Sequence, residues 1–356
     1  MTENPAVAQA RELVLAYGWN STSFQIVNPG IKRWFSDDGG AVVGYVPAAG
    51  FRLVAGAPVC RLDRVPEIVA AFELDAKRCD QKVCYFCAES RLEEATSQSS
   101  RHSKFLLGAQ PTWNPKDWRR LVENHKSVRA QLNRARNKGV AVTEYSTERA
   151  SGDDRLDKCL HQWLASKPLP PLHFLVEPET LKRLQNRRIF VAERHDEVVG
   201  FVTLSPVAQR QGWLFEQFPH RPGAPNGTVE LMIDAAMRAI AADGCDYATL
   251  GLAPLSRRAE VEPFHNPLWL DIVLAWLRKH GQRFYNFDGL DAFKAKLKPD
   301  VWEPVFAVSN ESRVSFQTLY AIASAFSGNA PFRMLSGGLV KAAATEFRWL
   351  RNKITA

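Results

Sequence analysis

One order of elements runs twice along this chain, and that repetition limits its fold more than any single motif. "AVVGYVPAAGFRLVAGAPV" reads as two apolar strands parted by small and turn residues, followed by a helix near 64–79 and the strand "KVCYFCA". A short amphipathic helix over 6–17 stands in front. Later, a helix over 154–166 leads into "RRIFVAERHDEVVGFVTLSPV", two strands joined by a His-Asp-Glu turn, and the strand "GWLFEQF". Helix 228–243, strand "YATLGLAP" and helix 268–280 follow. "RFYNFDGLDAFKAKLKPDVWEP" completes the second unit as a strand, an Asp-Gly turn and a lysine-rich helical turn. The two halves match in order of elements, not in letters. Alternating strands and helices imply a three-layer α/β body. A chain of 356 residues has room for two cores, since single cores stop growing near about 250 residues. The expected units are 1–115 and 116–310, with two amphipathic helices in a tail over 311–356.

The net charge of +8 favours an acidic partner, and nucleic acid and anionic lipid are the two obvious ones. No run approaches the ~18 apolar residues of a membrane-spanning helix. The N-terminus lacks a secretory pattern, so the expectation is a cytoplasmic protein lying peripherally on the inner face of the cell membrane. Cys84 and Cys87 form a C-x-x-C, but the second half of a zinc site is missing and their neighbours alternate like a buried strand. They read as core cysteines. His125, His161 and His265 lack ligand spacing, and no metal or cofactor is expected.

Three constellations stand out. In "KSVRAQLNRARNKG", part of a long basic helix over 117–138, Lys126, Arg129, Asn133 and Arg136 share one face while Val128, Leu132 and Ala135 share another. Residues 119–138 hold seven Lys/Arg against one Glu, which suits phosphates. In "LFEQFPHRPGAPNGTVELMI", strand, loop and helix place the backbone N–H groups near Asn226 and Gly227 at a helix start, an oxyanion site, although Pro222 and Pro225 remove two donors. Glu216 lies within an otherwise apolar strand, either on a solvent face or as a buried ligand for an amino group. The third constellation is the strand end "GLAPLS", where open α/β sheets bind ligands. Gly251, Pro254 and Ser256, with Tyr285, Asn286 and Asp288 near the same edge, are expected to line the substrate pocket. Lys294 and Lys298 share a helix face and Lys296 points elsewhere, so one lysine is expected to reach this cleft.

"VRAQLNRARNKGVAV", "HRPGAPNGTVELMI", "LGLAPLS" and "RFYNFDGLDAFKAKLKPDVWEP" together resemble the soluble catalytic domain of bacterial phosphatidylglycerol lysyltransferases and alanyltransferases, over roughly residues 20–308. The resemblance implies two tandem acyltransferase folds of the GNAT type, with the active site in a tunnel between a charged-tRNA entrance and a lipid entrance. It also marks two departures. Full-length members carry a multi-helix membrane domain ahead of this one, which is not in this sequence. Where the lysyltransferases have an acidic residue followed three later by arginine, this chain has Glu216 and Pro219, with Arg221 two residues on.

The implied activity is transfer of an aminoacyl group from a charged tRNA to a membrane lipid hydroxyl. In that scheme Lys126, Arg129, Asn133, Arg136 and Arg221 bind donor phosphate, Glu216 pairs with an amino group, and Lys294 with the Asn226–Gly227 backbone steadies negative charge. The rival keeps the fold and changes the donor: an N-acyltransferase moving a fatty acyl group from acyl-CoA or acyl-carrier protein to an amine-bearing lipid or amino acid. A third possibility is a catalytically silent lipid- or RNA-binding protein.

Overall fold

The computed structural model describes residues 4–167, 174–175, 177, 179–259, 266–280 and 286–327. The first half comprises α1 (Pro5–Tyr17), β1 (Lys32–Phe35), β2 (Val42–Ala48), β3 (Phe51–Ala55), α2 (Val65–Arg78), β4 (Lys82–Ala88), α3 (Ser90–Thr96) and β5 (Ser103–Trp113). The second half opens with α4 (Trp118–Asn124), α5 (Lys126–Arg136), β6 (Ala141–Tyr145), α6 (Thr147–Ser151) and α7 (Asp154–Ala165). It continues with β7 (Arg188–Arg194), β8 (Glu197–Val207), β9 (Gly212–Phe215), α8 (Thr228–Ala242), β10 (Tyr247–Thr249) and the short β11 (Ala253–Pro254). The last elements are α9 (Leu268–His280), α10 (Phe287–Lys296), β12 (Val301–Ser309) and α11 (Phe316–Phe326).

Each half repeats one topology. An antiparallel meander (β1–β2–β3, then β6–β7–β8–β9) ends in a strand whose next neighbour runs parallel to it across a helix: β3 with β4 around α2, and β9 with β10 around α8. The closing strands are exchanged. β12, last of the second half, lies against β4, while β5, last of the first, lies against β10, and the two pair antiparallel with each other. Among the described residues this makes one twelve-stranded sheet, ordered β1-β2-β3-β4-β12-β5-β10-β9-β8-β7-β6 with β11 beside β5.

Helices cover both faces, giving the expected three-layer α/β body. In the first half α2 sends Ile68, Val69 and Phe72 onto Val43, Val54 and Tyr85, while α1 and α11 cover the opposite face around Phe51, Leu53 and Phe105. In the second, α5 and α8 bury Val128, Leu132, Met232 and Met237 on one side, and α7 buries Leu156 and Leu160 on the other.

Two local expectations are corrected. The basic helix is not continuous over 117–138: it breaks at His125, which is extended (φ −111°, ψ 97°). The Arg129 guanidinium donates to the carbonyls of Val122 and Glu123, satisfying the open end of α4. Nor do Asp288 and Gly289 form a turn closing a strand, because both lie in the first turn of α10, where Asn286 Oδ1 accepts from Gly289 N at 2.8 Å. A Cβ on Gly289 would stand 2.3 Å from the Asn286 side chain, so the glycine makes room for its own helix cap. The first tail helix is α11, docked with Ala321 and Ala325 in the core and Phe326 edge-on to Phe86 at 5.1 Å. "GLVKAAATEFRWLRNK" lies outside the described residues.

Candidate active site

The central strand β12 carries register shifts against both neighbours, between Val305 and Phe306 towards β5 and between Phe306 and Ala307 towards β4. The residues left over are Leu107 and Cys87, and each bulge frees a carbonyl. Leu107 O accepts from Leu255 N at 2.7 Å and Cys87 O from Asn20 Nδ2 at 2.8 Å. Two segments distant in sequence are thereby drawn to the middle of the sheet. Gly108 (φ +154°) is obligatory here, since a Cβ would fall 2.2 Å from Ala253 O.

The "GLAPLS" segment is held from beneath by Lys294. This side chain is 4% exposed, and its Nζ donates to Leu250 O and Gly251 O at 2.8 Å and Leu252 O at 2.9 Å. Burial pushes its pKa down to about 7, against the pull of Asp291 and Cys87. Three acceptors match the three N–H groups of the ammonium and more than take up the two of the neutral amine. Lys294 therefore shapes the strand end and has no N–H left for an oxyanion. Lys296 points away, to Glu230 at 3.1 Å. Ser256 donates to Asp291 Oδ1 at 2.5 Å and Arg258 to Asp291 Oδ2 at 2.8 Å, while Asp288 pairs with Arg278 at 2.6 Å. Gly251 (φ +69°) and Pro254, opposite Gly108, complete the segment, Asn286 is engaged as the α10 cap, and Tyr285 lies outside the described residues.

Glu216 follows β9 with its side chain 7% exposed. Its Oε1 accepts from Arg187 Nε and from Gln25 Nε2, both at 3.0 Å, and its Oε2 from Thr203 Oγ1 at 2.9 Å. Arg187, 1% exposed, also donates to Asn28 Oδ1 at 2.8 Å and Arg183 O at 2.9 Å, with its guanidinium 4.9 Å from the centre of the Phe24 ring. Gln25 and Asn28 come from the turn Ser23–Val27 and its cap, so this neutral cluster joins the first half to the second.

A second buried cluster spans the same junction. Glu89, just past β4, accepts from Ser21 N at 2.7 Å and from Arg210 at 3.3 Å. Arg210 forks onto Glu303 of β12 and stacks 3.7 Å from the Tyr247 ring centre. Burial raises the Glu89 carboxyl above its ordinary value, against the pull of Arg210 and of the Ser21 donors.

The remaining expected residues fall elsewhere. Asn226 is exposed, and Gly227 (φ +93°) lets α8 start in contact with α5: a Cβ would stand 2.1 Å from Gln131 O. The glycine there serves helix packing. Arg136 pairs with the buried Asp234 at 2.7 Å and Arg221 with Glu197 at 3.0 Å, so these, like Arg129, are engaged internally. Lys126 and Asn133 are exposed, as are Arg134 and, beyond the end of α5, Lys138. Val128, Leu132 and Ala135 point inward as expected. Cys84 and Cys87 are free and buried. Among the described residues no group of three His, Cys, Asp or Glu could hold a metal.

Sequence reading missed Arg187, Gln25, Glu89, Arg210 and Glu303. A signal existed for two of them, since Glu89 and Arg187 bound apolar strands as Glu216 does. Glu303 sits before Pro304, and a proline masks a strand pattern.

Two like α/β units, each a meander closed by a parallel pair across a helix and joined by an exchange of their last strands, define a duplicated α/β fold. The sequence matches the family described as phosphatidylglycerol lysyltransferase, C-terminal, over residues 11–309. The chain belongs to that family. It is 23% identical over 296 residues to the phosphatidylglycerol lysyltransferase of Bacillus subtilis (strain 168), covering 82% of this chain and 34% of that protein. It thus spans about a third of the relative's length. Its fold is similar to that of L-PGS from Bacillus licheniformis (TM-score 0.73, 20% identity, 91% of this chain and 97% of that one). It is also similar to the C-terminal DUF2156 domain of an Agrobacterium fabrum protein (TM-score 0.77, 20% identity, 91% and 98%).

Proposed function

We propose that this chain transfers an aminoacyl group from a charged tRNA to a lipid hydroxyl at a membrane surface. The family match over 11–309 supports the reaction class, and the Glu216 cluster is the observation that carries the site. It is a buried hydrogen-bonding network, built from both units, at the end of β9 where the parallel pair β9–β10 opens towards α8. Ester exchanges for ester, so the catalyst mainly positions two reactants and shields them from water. The exposed Lys126 and Arg134 on α5, with Lys138 in the turn after it, supply phosphate contacts to the donor, and the net +8 favours an anionic surface for the acceptor. Among the described residues no helix is long and apolar enough to cross a membrane.

The test is incubation with phosphatidylglycerol-containing membranes and labelled donors, aminoacyl-tRNAs in one arm and acyl-CoA or acyl-carrier protein in the other. Labelled lipid from the tRNA arm is expected. Label arriving only from the thioester arm overturns the reading in favour of an N-acyltransferase.

A further inference from the structure

We propose that Arg33 of β1, with Arg11 of α1 beside it, forms a binding site for a phosphate group. The site is separate from the transfer step and does not depend on it. Both arginines are half-buried. Arg33 Nη2 donates to Asn28 O at 3.0 Å, while its Nε is shielded from water and has no hydrogen-bond partner. Among the described residues no carboxylate pairs with Arg33. A guanidinium withdrawn from water without an anion is costly, and the buried Arg52, Arg187 and Arg210 each meet a carboxylate. Arg33 meets a like charge instead. Burial first, and then Arg11, hold its pKa below the ordinary arginine value.

Asn28 brings this charge to the junction of the two units. Its carbonyl takes Arg33 and its Oδ1 takes Arg187, but Glu216 is bonded to Arg187 and not to Arg33. The Arg33 charge is left over. Pro29, Gly30 and Lys32, next to Arg33 in the chain, are exposed, so this edge is open to solvent. Two guanidiniums carried on a helix and a strand present N–H groups from two directions. That arrangement suits the several oxygens of a tetrahedral phosphate, whereas a carboxylate is satisfied by one fork. The phosphodiester of a lipid headgroup and free phosphate share this chemistry.

The test is calorimetric titration and thermal unfolding of the full chain at low ionic strength. The probes are inorganic phosphate, short-chain phosphatidylglycerol below its micelle concentration, and short-chain diacylglycerol as the phosphate-free control. Wild type is compared with Arg33→Gln, Arg11→Gln and a variant of the exposed Arg61, Arg61→Gln. Saturable binding of a phosphate-bearing probe is expected, and none of diacylglycerol. Arg33→Gln should weaken that binding by about tenfold or more, Arg11→Gln by less, and Arg61→Gln not at all. Without a probe, Arg33→Gln should melt no lower than wild type, because it removes an uncompensated charge. The rise in melting temperature that the probe gives wild type should vanish in it. Binding of the lipid probe alone assigns the site to a headgroup, and binding of inorganic phosphate alone assigns it to free phosphate. Saturable binding of neither, or an equal loss from Arg61→Gln, overturns the site. So does an Arg33→Gln that unfolds or melts well below wild type without a probe, since Arg33 would then be a structural tie to Asn28. None of these outcomes bears on aminoacyl transfer, and a failed transfer assay leaves the phosphate site standing.

Discussion

The two halves repeat one topology yet finish their parallel strand pairs differently. After β3 the first half closes with hydrocarbon: Val59 bridges back to Val42, Cys60 and Val65 are buried, and burial pushes the Cys60 thiol up to about 11. After β9 the second half places Glu216 against Arg187. The geometry is shared and the chemistry is not. A strand end closed by apolar packing stabilises the fold and offers no polar group, whereas one built from paired charges gives up some stability and keeps buried polar groups there. The difference is what the proposed site after β9 requires of the second half.

The severest break of this comparison is to separate the halves. Because β12 lies in the first half's part of the sheet and β5 against β10, a cut between 115 and 116 leaves each piece without a strand the other holds. We expect fragments 1–115 and 116–327 to be unfolded or aggregated alone and to regain native circular dichroism when co-expressed. An independently folded first fragment would show that the exchange is dispensable.

Charge pairs give the next test. Arg187→Ala leaves Glu216 buried and should cost about 3–5 kcal/mol in a denaturant titration. Glu216→Gln/Arg187→Gln should cost much less, since no charge is left unpaired. In the first half Arg52 pairs with the half-exposed Asp75 at 2.6 Å and is held besides by Gln81 and the Tyr45 and Phe72 rings, so Asp75→Ala should cost less, about 1–2 kcal/mol. Equal losses from Arg187→Ala and Asp75→Ala would erase the proposed contrast.

Gly227→Ala should destabilise by about 1–3 kcal/mol through its positive φ and the contact with Gln131 O. Gly223→Ala also meets a positive φ but has open space around it, so it should cost less. The same ranking should appear in melting temperatures. An equal shift from both would mean that the approach of α8 to α5 is not what requires the glycine.

A further test is a pH dependence, which leaves the fold intact. The folded pKa of Lys294, about 7, lies below the ordinary lysine value, so between about pH 7 and 10 the unfolded chain binds a proton that the folded one has released. The advantage of wild type over Lys294→Met should therefore grow as pH rises through that window, by at most a few kcal/mol, and be flat below it. A difference that shrinks with rising pH would mean that the three carbonyls hold the proton on Lys294 throughout.

What the sequence determined by itself was the local half of this protein. Period-2 and period-3.6 patterns, His-Asp at the β7–β8 turn and Gly-bearing loops specify most helices and strands and their doubled order, because these signals act between residues a few positions apart. They also singled out Glu216 as a charge in an apolar strand, the kind of site residue that a local pattern exposes, and Lys294 by the helix face it shares with Lys298. The two central strands went unread: Gly108 and Pro111 interrupt β5 and Pro304 interrupts β12, and interrupted runs read as loops. Only the tertiary structure decided that these two strands change places at the middle of the sheet. It alone decided that Lys294 is enclosed by three carbonyls, that Arg129 and Arg136 are tied internally, and that Glu216 meets Arg187 and Gln25. Those partners lie 29 and 191 positions from Glu216 in the chain. Which buried charge meets which is a property of strand order and register, and no local signal carries it.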